Sequence, residues 1–157
     1  MSRLVSKLVL SFHIATLMLL TSESAWADRI KIASERGMEP LAQPTLERWF
    51  TESFRKTSAA AVDGVRKLIV DTPVAGYVGC CHAIPKINLT ARLKEIKCPI
   101  LVIVGEQDPG TPPAMAKEIH DAAPGSRLVV IPQAAHLSNL EQPAAFTRTM
   151  EQFLAGK

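Results

Sequence analysis

The strongest constraint on the fold of this chain is a run of five apolar residues, 100–104, which ends at Gly105. A short apolar run bounded by a turn residue is typical of a strand that is buried on both faces of a parallel sheet. Asp108 follows just beyond the end of this run. The pattern therefore predicts a buried sheet strand with a carboxylate on the loop that leaves it.

A helix is predicted directly after this loop. Thr111 and Pro112 fit an N-cap and a first helical position. Met115 and Ile119 then share one apolar face, and the sequence Ala-Pro-Gly at 123–125 predicts the end of the helix.

The same order of elements then repeats. A second buried strand is predicted at residues 128–131, and the loop after it leads to His136. Pro143 begins a last helix, in which four apolar side chains are expected to face inward: Phe146, Met150, Phe153 and Leu154.

Asp108 and His136 are far apart in the chain, but each follows the end of a predicted strand. In a parallel sheet with right-handed crossovers, both loops leave the sheet at the same edge. Singly, an Asp after a strand is usually a turn former and a loop His is usually polar surface. Together, at the ends of two strands, they predict a pair in which the carboxylate orients the imidazole for proton transfer.

Composition excludes several other functions. The chain of 157 residues has a net charge of +3 and 5% aromatic residues, with no basic run that would suit a nucleic-acid groove. Cys80, Cys81 and Cys98 are an odd number without CxxC spacing, which argues against a disulfide framework and a structural zinc site. We therefore expect no bound metal, no nucleic-acid partner and a reducing, cytoplasmic location.

The first 27 residues allow two interpretations. Arg3 and Lys7 precede an apolar stretch at 8–20, and Ala-Trp-Ala at 25–27 fits a cleavage site, which is the layout of a secretory signal peptide. The alternative, which we favour, is a buried strand at residues 7–10 followed by a loop. No membrane association is expected, because the apolar run is short for a transmembrane helix and contains polar residues.

Helical periodicity dominates residues 24–97, where no strand pattern occurs. The spacing predicts five helices, the first of which is expected to end at Gly37. Another helix is expected to present a single apolar face formed by Leu46, Trp49, Phe50 and Phe54.

Two motifs resemble the α/β-hydrolases. One is Gly-Glu-Gln-Asp-Pro at 105–109, and the other runs from His136 to Pro143 with Glu141 inside it. In that family the catalytic triad follows the order Ser, then Asp or Glu, then His along the chain. Asp108 and His136 have the right order for its last two members.

Further strings resemble the 3-oxoadipate enol-lactonases in particular. These are Ala-Ala-His-Leu-Ser-Asn-Leu-Glu-Gln-Pro at 134–143 and Leu-Glu-Arg-Trp-Phe-Thr at 46–51. Thr-Pro at 72–73, followed by Gly-Tyr at 76–77 and Cys-Cys at 80–81, is also similar. The resemblance covers nearly everything from about residue 23 to the C-terminus.

The resemblance implies an α/β fold, namely the C-terminal part of an α/β-hydrolase with parallel strands and a helical lid insertion. Residues 1–21 would hold a sheet strand and the apolar stretch, residues 22–97 the lid, and residues 98–157 the C-terminal part of the core.

The resemblance also implies hydrolysis of 3-oxoadipate enol-lactone in aromatic catabolism, without a cofactor. His136 would be the general base, Asp108 its orienting acid, and Trp49 and Tyr77 the lid residues that contact the lactone. No G-x-S-x-G nucleophile elbow occurs in the 157 residues. We therefore expect the chain to be inactive alone, with an N-terminal half as a possible separately encoded partner.

Two alternatives stay open. The chain could belong to another α/β-hydrolase, such as an esterase or a cofactor-free haloperoxidase. It could instead be an exported, non-catalytic protein with a cleaved leader, in which case its location would not be cytoplasmic.

Overall fold

Three parallel strands run through the part of the chain that the structure describes. The structure is a computed structural model, and it describes residues 8–11 and 23–156. The strands are Leu8–Ser11 (β1), Ile100–Gly105 (β2) and Arg127–Ile131 (β3), in the order β1-β2-β3. Because β2 is paired on both sides, its carboxyl end lies in the middle of this sheet.

The helices fall before β2 and after it. Those before it are Glu23–Arg36 (α1), Glu39–Trp49 (α2), Glu52–Thr57 (α3), Ala59–Val70 (α4) and Val74–Ala83 (α5), followed by 3-10 turns at Ile84–Lys86 and Thr90–Glu95. Those after it are Pro113–Ala122 (α6), Ser138–Glu141 (α7) and Pro143–Leu154 (α8).

The described residues divide into two units. The sheet unit comprises β1 and residues 88–156, and the helical unit comprises residues 23–87. The division falls after residue 87, whereas the sequence analysis placed the end of the helical block at residue 97. Residues 88–97 go with the sheet because Leu93 is buried against Ile100 and Val102. The role of the helical unit as a lid stays a prediction.

The sheet unit has a core on each face of β2. Successive strand residues point to opposite faces, so Ile100, Val102 and Val104 pack on one side with side chains of α6. Leu101 and Ile103 pack on the other side with Ile131, Ala134, Phe146 and Phe153. All six residues of β2 are buried, which confirms the strand predicted from the apolar run.

Three details of the sheet unit differ from the sequence analysis. Helix α6 begins at Pro113 with Pro112 as its N-cap residue, so Thr111 is not the cap. In β3 only Ile131 is buried, because within the described residues this strand pairs with β2 alone. Leu154 was expected to face inward, but it is 54% exposed at the end of α8, whereas Phe146 and Phe153 are buried.

The helical unit is a set of short helices packed on one another. Helix α1 packs on α2 and α5, and α2 packs on α4. Gly37 ends α1 with a positive φ of 75°, as predicted. The single helix expected across residues 46–54 is interrupted, because the Thr51 hydroxyl accepts the Phe54 N–H at 3.2 Å and begins α3.

The N-terminal region is described only in part. Strand β1 pairs in parallel with Ile100–Ile103 of β2, where the favoured interpretation expected a strand. The other residues of the signal-peptide interpretation, 1–7 and 12–22, lie outside the described residues, so that interpretation stays a prediction. In the ranges 8–11 and 23–156, no helix has both the length and the apolar character needed to cross a membrane.

Candidate active site

Asp108 lies three residues beyond β2, with a carboxylate that accepts four hydrogen bonds. Its Oδ1 accepts the backbone N–H groups of Gly110 at 2.9 Å and Thr111 at 3.0 Å. Its Oδ2 accepts the Thr111 hydroxyl at 2.7 Å and faces His136 Nδ1 at 2.8 Å. The residue is only 4% exposed. Such a buried carboxylate is tolerated because both of its oxygens are satisfied.

His136 follows β3 and meets Asp108 through its Nδ1 atom. The predicted contact between the two residues is therefore present. A carboxylate on Nδ1 selects the tautomer with the proton on that nitrogen, which leaves Nε2 as the atom that would accept a proton. The imidazole is mostly buried, and 13% of its side-chain surface remains exposed.

Thr111 connects the two members of the pair. Its hydroxyl donates to Asp108 Oδ2, and its oxygen lies 3.3 Å from His136 Nδ1. The shorter contact of Nδ1 is therefore with the carboxylate, and the Thr111 oxygen lies beside it at a longer distance. Thr111 restricts the rotation of both side chains.

The pKa of Asp108 is set by opposing effects. Burial, the largest of them, would raise the pKa by disfavouring the charged form. The hydrogen bond and the charge of His136, helped by the hydroxyl and the N–H of Thr111, outweigh burial and hold the pKa of Asp108 below its ordinary value. The carboxylate therefore stays ionised at neutral pH.

Close backbone contact joins the Asp108 loop to the His136 loop. The Gln107 N–H donates to the Ala134 carbonyl at 2.8 Å, and the Glu106 N–H donates to the Ile131 carbonyl at 2.9 Å. A Cβ on Gly105 would collide with the carbonyl oxygens of Ala134 and Ala135. Only glycine allows the end of β2 to approach the His136 loop this closely.

Two carboxylates hold the His136 loop from other directions. Glu141, which is 7% exposed, accepts the Ala135 N–H at 2.5 Å. Glu106 accepts the Gln133 N–H at 3.1 Å, and Gln133 has a positive φ of 54°. The Gln142 side chain also donates to the Gln133 carbonyl at 3.2 Å. The backbone on the N-terminal side of His136 is thus fixed by side chains from two neighbouring segments.

Trp49 and Tyr77, the predicted substrate contacts, are both in the helical unit and both partly buried. Burial, followed by the neighbouring Cys81 thiol, raises the pKa of Tyr77 to about 12. Burial also raises the pKa of Cys81, which keeps this thiol protonated and argues against a nucleophilic role. Substrate contact by Trp49 and Tyr77 stays a prediction.

A metal site finds no support among the residues that the structure describes. Within those ranges, no three side chains of His, Cys, Asp or Glu are grouped so that they could hold an ion. Cys80, Cys81 and Cys98 are free thiols.

The sequence analysis missed the parts played by Thr111 and Glu141. The signal for Thr111 was available, since an Asp followed by Pro-Gly-Thr is typical of a turn in which the carboxylate accepts backbone N–H groups. Glu141 was recognised only as part of a motif. Its bond to Ala135 depends on the path of the loop, which no local pattern specifies.

Comparison with a protein family gives a match over the C-terminal part of the chain. The sequence model of the family described as TAP-like protein, an α/β-hydrolase family, matches residues 69–156. The matched residues include Asp108, His136, Thr111 and Glu141.

A curated relative matches more of the chain. It is 3-oxoadipate enol-lactonase 2 of Acinetobacter baylyi, which is 35% identical over 127 residues, 81% of this chain and 47% of the relative. The chain therefore spans about half the length of this relative.

Solved structures agree in fold. The enol-lactonase from Burkholderia xenovorans LB400 superposes with a TM-score of 0.82 and 36% identity, over 86% of this chain and 52% of that structure. The thermophilic esterase from Thermogutta terrifontis superposes with a TM-score of 0.83 and 26% identity, over 96% and 56% respectively.

Proposed function

Since this chain belongs to the α/β-hydrolases, in the family described as TAP-like protein, we propose that it contributes the acid–base pair of a lactone hydrolase. The proposed substrate is the enol-lactone of 3-oxoadipate. The observation that carries the proposal is the 2.8 Å contact between His136 Nδ1 and a buried, ionised Asp108. The choice of substrate rests on the similarity to the A. baylyi and B. xenovorans enol-lactonases.

The proposed reaction is an acyl transfer through a serine. The serine Oγ attacks the lactone carbonyl while His136 Nε2 takes its proton, and Asp108 stabilises the imidazolium without being protonated. Collapse of the tetrahedral intermediate breaks the ring C–O bond, and His136 returns the proton to the departing enol oxygen. The enol then becomes the ketone. Water, deprotonated by His136, attacks the acyl ester; the bond to the serine then breaks, His136 returns the proton to the serine oxygen, and 3-oxoadipate leaves. No cofactor takes part.

The 157 residues contain no G-x-S-x-G, the motif that carries the serine nucleophile in α/β-hydrolases. We therefore propose that the chain alone does not turn over the lactone. General-base assistance contributes only about 10²- to 10⁴-fold, and the covalent step and the oxyanion donors would be missing. Turnover that is lost in His136→Ala would contradict this part of the proposal, and Cys80 and Cys81 would then be tested as nucleophiles.

The helical unit is proposed to act as the lid, with Trp49 and Tyr77 against the substrate. Both residues belong to strings that resemble the enol-lactonases, and both are partly rather than fully buried.

A chimera tests the proposed chemistry. The half of A. baylyi 3-oxoadipate enol-lactonase 2 that this chain matches would be replaced by this chain, and enol-lactone hydrolysis would be followed by its absorbance. We expect turnover that falls by about 10³- to 10⁴-fold in His136→Ala and by about 10⁴-fold in Asp108→Asn. His82→Ala, an exposed histidine in the helical unit, is the matched control and should leave the rate unchanged.

The chimera also distinguishes the second candidate function. The similarity to the T. terrifontis esterase favours hydrolysis of simple esters as the alternative. Faster hydrolysis of an uncharged p-nitrophenyl ester than of the enol-lactone would support this alternative function. A folded chimera whose lactone hydrolysis is equally fast with His136→Ala would contradict both functions.

A further inference from the structure

The carboxylate of Asp108 is held at its two oxygens by different kinds of donor. Oδ1 accepts two backbone N–H groups, from Gly110 at 2.9 Å and from Thr111 at 3.0 Å. Oδ2 meets two side chains, the Thr111 hydroxyl at 2.7 Å and His136 Nδ1 at 2.8 Å. The backbone donors alone would leave Oδ2 free to turn about Oδ1. The direction in which Oδ2 points is therefore set by Thr111 and His136.

Thr111 differs from His136 because it donates to both oxygens of the carboxylate. Its N–H reaches Oδ1 and its hydroxyl reaches Oδ2, so one residue spans the whole carboxylate of Asp108. In proton transfer the ring of His136 alternates between a neutral and a charged form, and its bond to Oδ2 is stronger in the charged form. The Thr111 hydroxyl stays neutral throughout. It can therefore keep the plane of the carboxylate constant while the charge of the ring changes.

The Thr111 hydroxyl also affects the tautomer of the His136 ring. An ionised carboxylate only accepts hydrogen bonds, so the single proton of the hydroxyl points at Asp108 Oδ2. The lone pairs of the hydroxyl oxygen are left to face His136 Nδ1, which lies 3.3 Å away. Nδ1 then has two oxygen acceptors beside it, and both favour the ring that carries its proton on this nitrogen. A ring protonated on Nε2 would instead turn the lone pair of Nδ1 toward both oxygens.

The charge of Asp108 depends on the same contacts. Burial raises the pKa of its carboxyl, and His136 opposes burial most strongly, through its hydrogen bond and its charge. The hydroxyl and the N–H of Thr111 lower the pKa further, because both stabilise the ionised form. Loss of the hydroxyl alone should therefore make Asp108 easier to protonate.

We propose that Thr111 is a positioning residue of the acid–base pair, which clamps both oxygens of Asp108 and keeps Oδ2 directed at His136 Nδ1 in both charge states of the ring. Thr111 lies on the Nδ1 side of the ring, whereas the proton would be taken up at Nε2, so it acts through Asp108 rather than on the reacting atoms. Its effect on turnover rests on the proposed function. The clamp itself does not, since all of its atoms belong to the described residues and need no nucleophile.

NMR of the 157-residue chain with labelled histidine and aspartate tests the clamp. Thr111→Val keeps the N–H and the shape of the side chain but removes the hydroxyl. We therefore expect the His136 Nδ1 proton to exchange with water about tenfold faster. The Asp108 carboxyl should also become protonated at a higher pH than in the unchanged chain. Thr111→Ser keeps the hydroxyl and should restore most of both properties.

Thr149→Val is the matched control in the same unit. The Thr149 hydroxyl bonds the Ala145 carbonyl at 2.9 Å within α8, so its loss removes a hydrogen bond of similar length away from the carboxylate. We expect this variant to leave the exchange of the His136 proton and the titration of Asp108 unchanged.

The chimera with the A. baylyi enol-lactonase measures the effect of the clamp on turnover. In Thr111→Val, kcat should fall about tenfold with KM nearly unchanged, and Thr111→Ser should recover most of the rate. A chimera that does not hydrolyse the lactone would reject only the proposed function, because the NMR result for the chain decides the clamp by itself.

Three NMR results would overturn the proposal. Exchange and titration in Thr111→Val equal to those of the unchanged chain would show that the hydroxyl does not hold the carboxylate. A Thr111→Ser variant as altered as Thr111→Val would show that the hydroxyl is not the group responsible. Equal changes in Thr149→Val would indicate general loosening of the unit instead of a clamp on Asp108.

Discussion

The charges of Asp108 and Arg48 meet opposite electrostatic conditions. The Asp108 cluster comprises Asp108, Gly110, Thr111 and His136. Around Asp108 a buried negative charge meets four donors, and the pKa of its carboxyl falls despite its burial. Around Arg48 a partly buried positive charge meets a second cation, and the pKa of its guanidinium falls because of burial and repulsion. The same direction of shift therefore means a stabilised charge at Asp108 and a destabilised charge at Arg48.

This difference distinguishes a buried charge whose hydrogen bonds are satisfied from a partly buried charge that has no acidic partner among the described residues. The Asp108 cluster is complete in its hydrogen bonding, so it needs no ligand and is already arranged for proton transfer through His136. Arg48 forms no ion pair with an Asp or Glu among the described residues, so its charge stays disfavoured by burial and by the charge of Arg29. Substitutions that remove a contact in the Asp108 cluster, or in the loops that carry it, test this comparison most directly.

The largest effect on stability is expected from Gly105→Ala. The new Cβ would collide with the backbone oxygens of Ala134 and Ala135, which flexible side chains cannot relieve. We expect a loss of about 3 kcal/mol in the free energy of unfolding, measured by urea denaturation.

The matched control is Gly64→Ala, inside α4 of the helical unit, where a Cβ would meet nothing within 4 Å. This change should stabilise the chain by about 0.5–1 kcal/mol, since alanine is the better helix former. A Gly105→Ala variant as stable as the unchanged chain would show that the His136 loop is not held against β2.

A smaller loss is expected from Glu141→Ala. It leaves the buried Ala135 N–H without its acceptor, which costs about 1–3 kcal/mol in the free energy of unfolding. Glu141→Gln keeps an acceptor oxygen and should cost less. Glu52→Ala removes a carboxylate from an exposed ion pair with Lys56 and serves as the control, with little or no expected change, because solvent screens such a pair. Equal effects of the two alanine substitutions would contradict a positioning role for Glu141.

The smallest expected effect is a dependence of stability on pH. The folded pKa of Asp108 lies below the unfolded value of 3.8, so its contribution is present above that pH and is lost as pH falls through the folded pKa. The difference in unfolding free energy between the unchanged chain and Asp108→Asn should therefore shrink from about pH 5 to about pH 2. A difference that stays constant over this range would mean that Asp108 is not stabilised as a carboxylate.

The parts of the site that could be predicted depend on topology. Asp108 and His136 follow the ends of parallel strands, and parallel strands bring such loops to one edge whatever the details of the turns. Their contact could therefore be expected from strand order alone. The Asp-Pro-Gly-Thr pattern also indicated the bonds of Thr111 to Asp108, but Thr111 was assigned instead as the cap of a helix that begins one residue later than predicted, at Pro113.

The errors in the core have a similar cause. Apolar content predicts that a segment is a strand, but not how many neighbours it has, so β3 was expected to be as buried as β2. Leu154 continues the apolar spacing of α8 into its last turn, where the helix ends in solvent. The effect of Arg29 on the pKa of Arg48 gave no signal in the sequence, because it depends on how α1 packs on α2.

The most direct test of the account is the state of the His136 ring in the chain itself. The chain has four histidines, and nitrogen-labelled histidine with a His136→Gln reference spectrum would assign the resonances of this one by NMR. We predict the Nδ1-protonated neutral tautomer and a strongly deshielded Nδ1 proton, which Asp108→Ala removes while the resonances of His82 are unaffected. A neutral His136 protonated on Nε2, or an Nδ1 signal that Asp108→Ala leaves unchanged, would contradict the acid–base pair.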